Sequence, residues 1–195
     1  MDTRIDHILA RIDALTEQLE EEIAERRKAF SYELDGRRAR FEATVEARHR
    51  ELRIGLRAFL AQARLSHIVT APVIYSLIAP FLLLDLFVSI YQTVCFPAYG
   101  IPKVRRSDHI RIDRHHLAYL NGLQKLNCIY CGYCNGLISW VREIASRTEA
   151  YWCPIKHAGP VRHPHARYAT FLDFGDAEGF QDGLARSRND VSRNA

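Results

Sequence analysis

Residues 68–90, IVTAPVIYSLIAPFLLLDLFVSI, form a 23-residue stretch with a single formal charge, Asp85. Crossing a hydrocarbon core of ~30 Å takes about 20 apolar helical residues, and a buried helix of a globular domain is rarely this long. The stretch therefore reads as membrane-inserted, the alternative being a core helix of a soluble oligomer. Tyr91, Phe96 and Tyr99 supply an interfacial belt at its far end. A carboxylate at a bilayer centre costs about 2.5–3.5 kcal/mol on insertion scales, so Asp85 needs a polar partner or the protonated form, a helix–helix hydrogen bond being the ordinary solution.

Topology is open at this level. Arg48, Arg50, Arg53, Arg57 and Arg64 precede the segment and Lys103, Arg105, Arg106, Arg111 and Arg114 follow it, so the positive-inside bias cancels. A single span separates the two basic clusters. A re-entrant hairpin bent near Pro80, with arms reaching about 22 Å, keeps both in the cytoplasm.

The apolar segment divides the chain into regions of different composition. Residues 1–64 hold 13 acidic and 13 basic residues, while residues 98–195 hold 14 basic and nine acidic ones. The start, MDTRIDHILARIDALTEQLEEE, has neither the basic nor the apolar region of a signal peptide, which places the N-terminal arm in the cytoplasm. Within residues 1–64 the apolar positions Ile8, Ile12, Leu19, Ile23, Phe30, Leu34, Phe41, Val45, Leu52 and Leu56 alternate in steps of four and seven. Such an 11-residue repeat, about 3.67 residues per turn, predicts one long helix with a narrow seam, weakened at Gly36 and Gly55. Ion-pair spacings such as Glu46–Arg50 flank the seam and favour a second copy of the chain over flat lipid. The arm is thus an amphipathic coiled coil and a route to a homo-oligomer, followed by the inserted segment at 65–97.

Residues 98–180 carry the chemistry. Four of the five cysteines fall within residues 128–153, in a chain without an export signal, which suggests metal ligation more than disulfides. Cys128, Cys131 and Cys134 form C-x2-C-x2-C, and Cys153 and His157 form C-P-x2-H after an 18-residue gap. Leu137, Trp140, Val141, Ile144, Thr148 and Tyr151 predict a helix over 136–150 between them. A turn after it would return the chain, with Pro154 opening a new helix, Cys153 at its N-cap and His157 one turn on. Two ligand sets follow. Cys128, Cys131, Cys153 and His157 make a Cys3His site for structural zinc or a single iron, whereas Cys128, Cys131, Cys134 and Cys153 match the ligand order of a 4Fe–4S cluster. The reading without a metal leaves all as buried reduced thiols.

His115, His116, His163 and His165 are second-rank ligands, and Asp173 and Asp176 a second-rank cation pair. Cys95 reads as a packing thiol. No G-x-S-x-G, P-loop, G-x-G-x-x-G or H-E-x-x-H is present. The basic residues flank an apolar segment, so lipid accounts for them better than nucleic acid does. Residues 181–195, with Leu184 and Val191 as their only large apolar side chains, are expected to be disordered.

The run YCGYCNGLISWVREIASRTEAYWCPIKHA resembles uncharacterised bacterial membrane-associated proteins with YC-x-Y-x-NG and YWCPIKH signatures, over about residues 65–175. The resemblance implies a bacterial inner membrane and names no activity. The sequence thus predicts a mainly α protein with a long helical arm, a membrane-inserted helix or hairpin and a small Cys/His metal-binding α domain. Its expected role is that of a non-catalytic membrane-anchored scaffold or adaptor, the metal standing in for a large core. The rival is a membrane-associated iron–sulfur electron-transfer protein.

Overall fold

The computed structural model describes residues 3–28, 30, 32–35 and 38–193. The chain divides into two units, Met1–Phe59 with Asp113–Lys125, and Leu60–Ile112 with Leu126–Ala195.

In the first unit α1 (Thr3–Lys28) ends on Arg26, Arg27 and Lys28, cations that suit the negative end of the helix dipole. The single long helix expected for the arm is not formed. An antiparallel hairpin of β1 (Tyr32–Asp35) and β2 (Arg38–Phe41) follows instead, with Tyr32 opposite Phe41 and Asp35 opposite Arg38. Two short helices come after it, α2 (Ala43–Glu51) and α3 (Leu56–Gln62), separated at Gly55. The 11-residue seam is thereby cut in its middle. Leu34 and Phe41 lie on strands, and Phe41 packs on Tyr32 and His49 with ring centroids 5.4 and 5.0 Å away. The expected Glu46–Arg50 pair is present on the surface of α2, and Gly36 lies outside the described residues.

The second unit begins with α4 (Leu65–Ser76) and α5 (Ile78–Tyr99), which together make one apolar helical stretch, Leu65–Tyr99. Leu77 between them keeps right-handed helical angles. Pro80 falls in the first turn of α5, where a missing N–H costs no helical hydrogen bond. The chain therefore does not reverse at Pro80, and no hairpin forms there. The helix ends at Gly100, whose φ of 69° allows Gly100 N–H and Ile101 N–H to bond back to Pro97 and Phe96 carbonyls.

From Ile101 an extended strap, residues 101–112 with one helical turn α6 (Arg106–His109), runs back along α5. Helix α7 (Gly122–Trp152) comes next, then a loop with a short turn at Ala166–Thr170, and α8 (Phe180–Arg193). Phe96, Ile101, Val104, Leu137, Trp140, Ile144, Phe171 and Val191 make the core.

Helix α8 corrects the expectation of a disordered tail. Its Val191 is buried, Ser187 donates to the carbonyl of Ala150, and Arg188 donates to Tyr151 while its guanidinium lies over the rings of Tyr151 and Trp152. The last carbonyls of a helix lack partners within it. Helix α8 folds because it supplies them to α7.

Candidate functional site

Helix α7 decides what the cysteines can do. Its start is fixed by Asn121 and Gln124, each side chain accepting the other's backbone N–H at 3.0 Å, a reciprocal cap. From Gly122 the helix runs unbroken through Cys128, Cys131 and Cys134 to Trp152, not from 136 to 150. Cys128 and Cys153 are thus about 37 Å apart along one axis, and Cys134 and Cys153 about 28 Å, at 1.5 Å per residue. Ligands of one tetrahedral metal stand within about 4 Å of each other, given metal–ligand bonds near 2.0–2.3 Å. Neither the Cys3His set nor the four-cysteine set is brought together, and among the described residues no three His, Cys, Asp or Glu side chains converge as a metal site.

The individual placements agree with this. Cys128 is half-buried, Cys131 and Cys153 are exposed, and Cys134 is buried. Burial pushes the Cys134 thiol up, the Tyr130 hydroxyl opposes the shift, and Cys131 adds to it. No helix starts at Pro154. Instead Leu172 N–H donates to Pro154 O and Lys156 N–H to Leu172 O, a two-strand bridge at Ile155. His157 stacks on Tyr168, whose hydroxyl accepts its backbone N–H at 2.8 Å. His165 Nε2 lies 2.9 Å from Glu149, and the rings of His115 and His116 lie 3.9 Å apart. Asp173 pairs with Lys156, and Asp176 accepts the N–H of Gly179.

Charged side chains tether the loop after α7 to the helix. Glu143 on α7 accepts two hydrogen bonds from Arg167 and one from Arg147, all at 2.8–2.9 Å, and Arg147 reaches the carbonyl of Pro102 at 2.7 Å. Burial raises the Glu143 carboxyl, but Arg167 and then Arg147 outweigh it and hold the group below the usual glutamate range.

The polar groups of α5 form the other cluster. Asp85, Ser89 and Gln92 recur at steps of four and three, on one face of the helix. Asp85 is bidentate to Arg106 of the strap and accepts the Tyr133 hydroxyl at 2.7 Å and the Ser89 hydroxyl at 3.3 Å. The expected helix–helix hydrogen bond is therefore present, joined by a cation that sequence reading counted only as a basic flank. Burial, then Asp85, pushes the Tyr133 hydroxyl up to about 12, so it remains a donor. Arg106 also lies over the Trp140 ring at 5.5 Å. One turn further along, buried Gln92 accepts Val104 N–H at 2.9 Å and donates to Val104 O at 3.4 Å, and Trp140 Nε1 donates to the same carbonyl. Sequence reading missed Ser89 and Gln92, for which the polar stripe within an apolar run was the signal, and it counted Tyr133 only among the aromatic residues around the cysteines.

Opposite this stripe nothing among the described residues covers α5. Leu82, Leu83, Leu86, Phe87, Ile90 and Val94 are each more than half exposed. None of the most apolar 18-residue window of Leu65–Tyr99 is buried, and by length and composition this helix could cross a membrane. The arrangement is a helix with one open apolar side and one side clamped to a folded head. No family model, curated protein or solved structure matches the chain.

Proposed function

We propose that this chain is a membrane-anchored, non-catalytic scaffold or adaptor. The carrying observation is the uncovered apolar side of Leu65–Tyr99. An apolar surface of that extent is a binding surface, since soluble monomers rarely leave one open, and lipid fits a face without charged side chains. The head formed by α7, the strap and α8 needs no metal in this reading, because Glu143, Arg147 and Arg167 hold its loop. Electron transfer through a cluster would require α7 to break between Cys134 and Cys153. We place the assembly on the inner membrane of a bacterium, with the arm in the cytoplasm.

Scaffolding rests on α1. Ile5, Ile8, Ile12, Leu15, Leu19 and Ile23 are all exposed along one side of it, a stripe that a second copy of the helix would cover.

Flotation of the full chain with phosphatidylcholine–phosphatidylglycerol vesicles tests the anchoring. Binding that survives high salt is expected, because burial of apolar surface is not screened. A chain that stays in the soluble fraction, monodisperse without detergent, overturns the proposal.

A further inference from the structure

We infer that the apolar helix Leu65–Tyr99 lies flat in one leaflet, its open face in the acyl chains and α7 with the strap toward water, and does not cross the bilayer. The inference rests on the membrane reading above and specifies its geometry.

The first ground is the chemistry of what covers α5. The strap follows α5 from Phe96, bonded to Ile101, to Asp85, bonded to Arg106. It is largely non-helical and carries Lys103, Arg105, Arg106, Asp108 and Arg111. Irregular backbone with charges is not tolerated against lipid in the hydrocarbon region. The half of α5 beyond Asp85 is therefore excluded from a span.

The second ground concerns what remains. Leu65–Leu84 is 20 residues, about 30 Å of helix and just enough to cross. Yet α7 runs beside it in the same direction: Tyr75 bonds to Asn127 and Tyr130 to Ile74 O, while Tyr133 bonds to Asp85. Tyr75 is near the middle of that stretch, and α7 starts only five residues before Asn127, about 7.5 Å away along its axis. A span would thus set the N-terminus of α7 near mid-bilayer, where the first-turn N–H groups of Gly122 and Leu123, which the Asn121–Gln124 cap does not take up, find no water.

A flat helix meets neither difficulty. Its exposed arc, from Leu65, Val69 and Val73 through Leu83, Phe87 and Val94, carries no charge, and the Ser76 hydroxyl within it is turned back onto the carbonyl of Val73. Exposed Arg64 stands at its N-terminal end, and exposed Lys103 and Arg105 stand on the strap that doubles back from its C-terminal end, where anionic headgroups would meet them. That charge complementarity selects a lipid leaflet over an apolar protein groove.

The test uses the full chain with an epitope tag at each end, in sealed inner-membrane vesicles. A flat helix exposes both tags to added protease from one side and protects both from the other. Depth is read separately with exposed positions replaced by tryptophan, Val73→Trp and Leu83→Trp, in vesicles of brominated phosphatidylcholine with phosphatidylglycerol. Quenching of both tryptophans should be stronger with bromine high on the acyl chain than with bromine near its end. Tags on opposite sides, or Val73→Trp quenched best from the chain end, would overturn the flat geometry while leaving membrane anchoring intact. Failure to float with vesicles at all removes both.

Discussion

Asp85 would be a defect in an apolar helix if its face were bare, and the strap makes it a fastening point. With the Asp85 side chain 14% exposed and that of Arg106 44% exposed, the pair is shielded on one side only, so its coupling belongs between the surface and buried limits. A double-mutant cycle of Asp85→Asn and Arg106→Gln, read by denaturation in detergent micelles, is expected to give about 1–3 kcal/mol. Gly136 matters for a steric reason: a Cβ there would lie 2.7 Å from Cα of Ile110 and 2.8 Å from His109 O. Gly136→Ala should therefore lift the strap and cost about 1–3 kcal/mol as overpacking, visible as a lower Tm. Glu143 gives the head a pH dependence. Its folded pKa is depressed, so its contribution is complete above the unfolded glutamate pKa of about 4.3 and is lost as pH falls through the lower folded value. Acid denaturation followed by circular dichroism should show that loss, and Glu143→Gln should flatten it while lowering stability at neutral pH. The need for an Asp85 partner was legible in the sequence. The partner was not, because Arg106 meets it only after the strap has doubled back over 21 residues.

Among the elements, the apolar helix was the most legible, since residues 68–90 carry a single charge over 23 residues, long enough for a membrane-length helix. The arm was misread because a helical period and a hairpin signal overlap. Tyr32 and Leu34 alternate with acids before Asp35-Gly36, and Ala39 and Phe41 alternate with arginines after it, a strand–turn–strand pattern that the 11-residue spacing obscured. The capping pair Asn121–Gln124 likewise announces the start of α7 ahead of its cysteines. Helix α8 was hidden for a different reason: its packing uses Ser187 and Arg188 on carbonyls of another helix, which hydrophobic patterning does not register. What survives of the arm's seam is α1. The full chain in detergent should therefore self-associate, and Ile12→Glu, in the middle of the exposed stripe, should dissociate it, whereas Ala10→Glu, off the stripe, should not. Sedimentation velocity distinguishes them, and equal effects from both substitutions would show that the stripe is not the contact.

At the scale of the molecule, the cysteines were grouped by distance in sequence while the fold separates them along a rod. Spacing alone could not reveal this, because C-x2-C-x2-C fits a metal loop and a helix equally well and only the continuity of α7 decides. Cys153→Ser should accordingly leave the Tm and protease resistance of the head within experimental error, against the several kcal/mol that loss of a structural metal ligand would remove. Thermal melts and limited proteolysis of the two chains check it. The parallel placement of α5 and α7 has a further consequence, for the order of events at the ribosome. Trp152, the end of α7, is synthesised 53 residues after Tyr99, roughly 3–10 s later at ordinary elongation rates. Tyr133, Trp140 and Thr148 follow Tyr99 by 34, 41 and 49 residues, so for the first part of that interval Leu65–Tyr99 is complete while none of them exists to cover its polar side. The nascent apolar helix is therefore complete before α7 can cover its polar side, and under the proposed anchoring the head closes onto a helix already held by the bilayer.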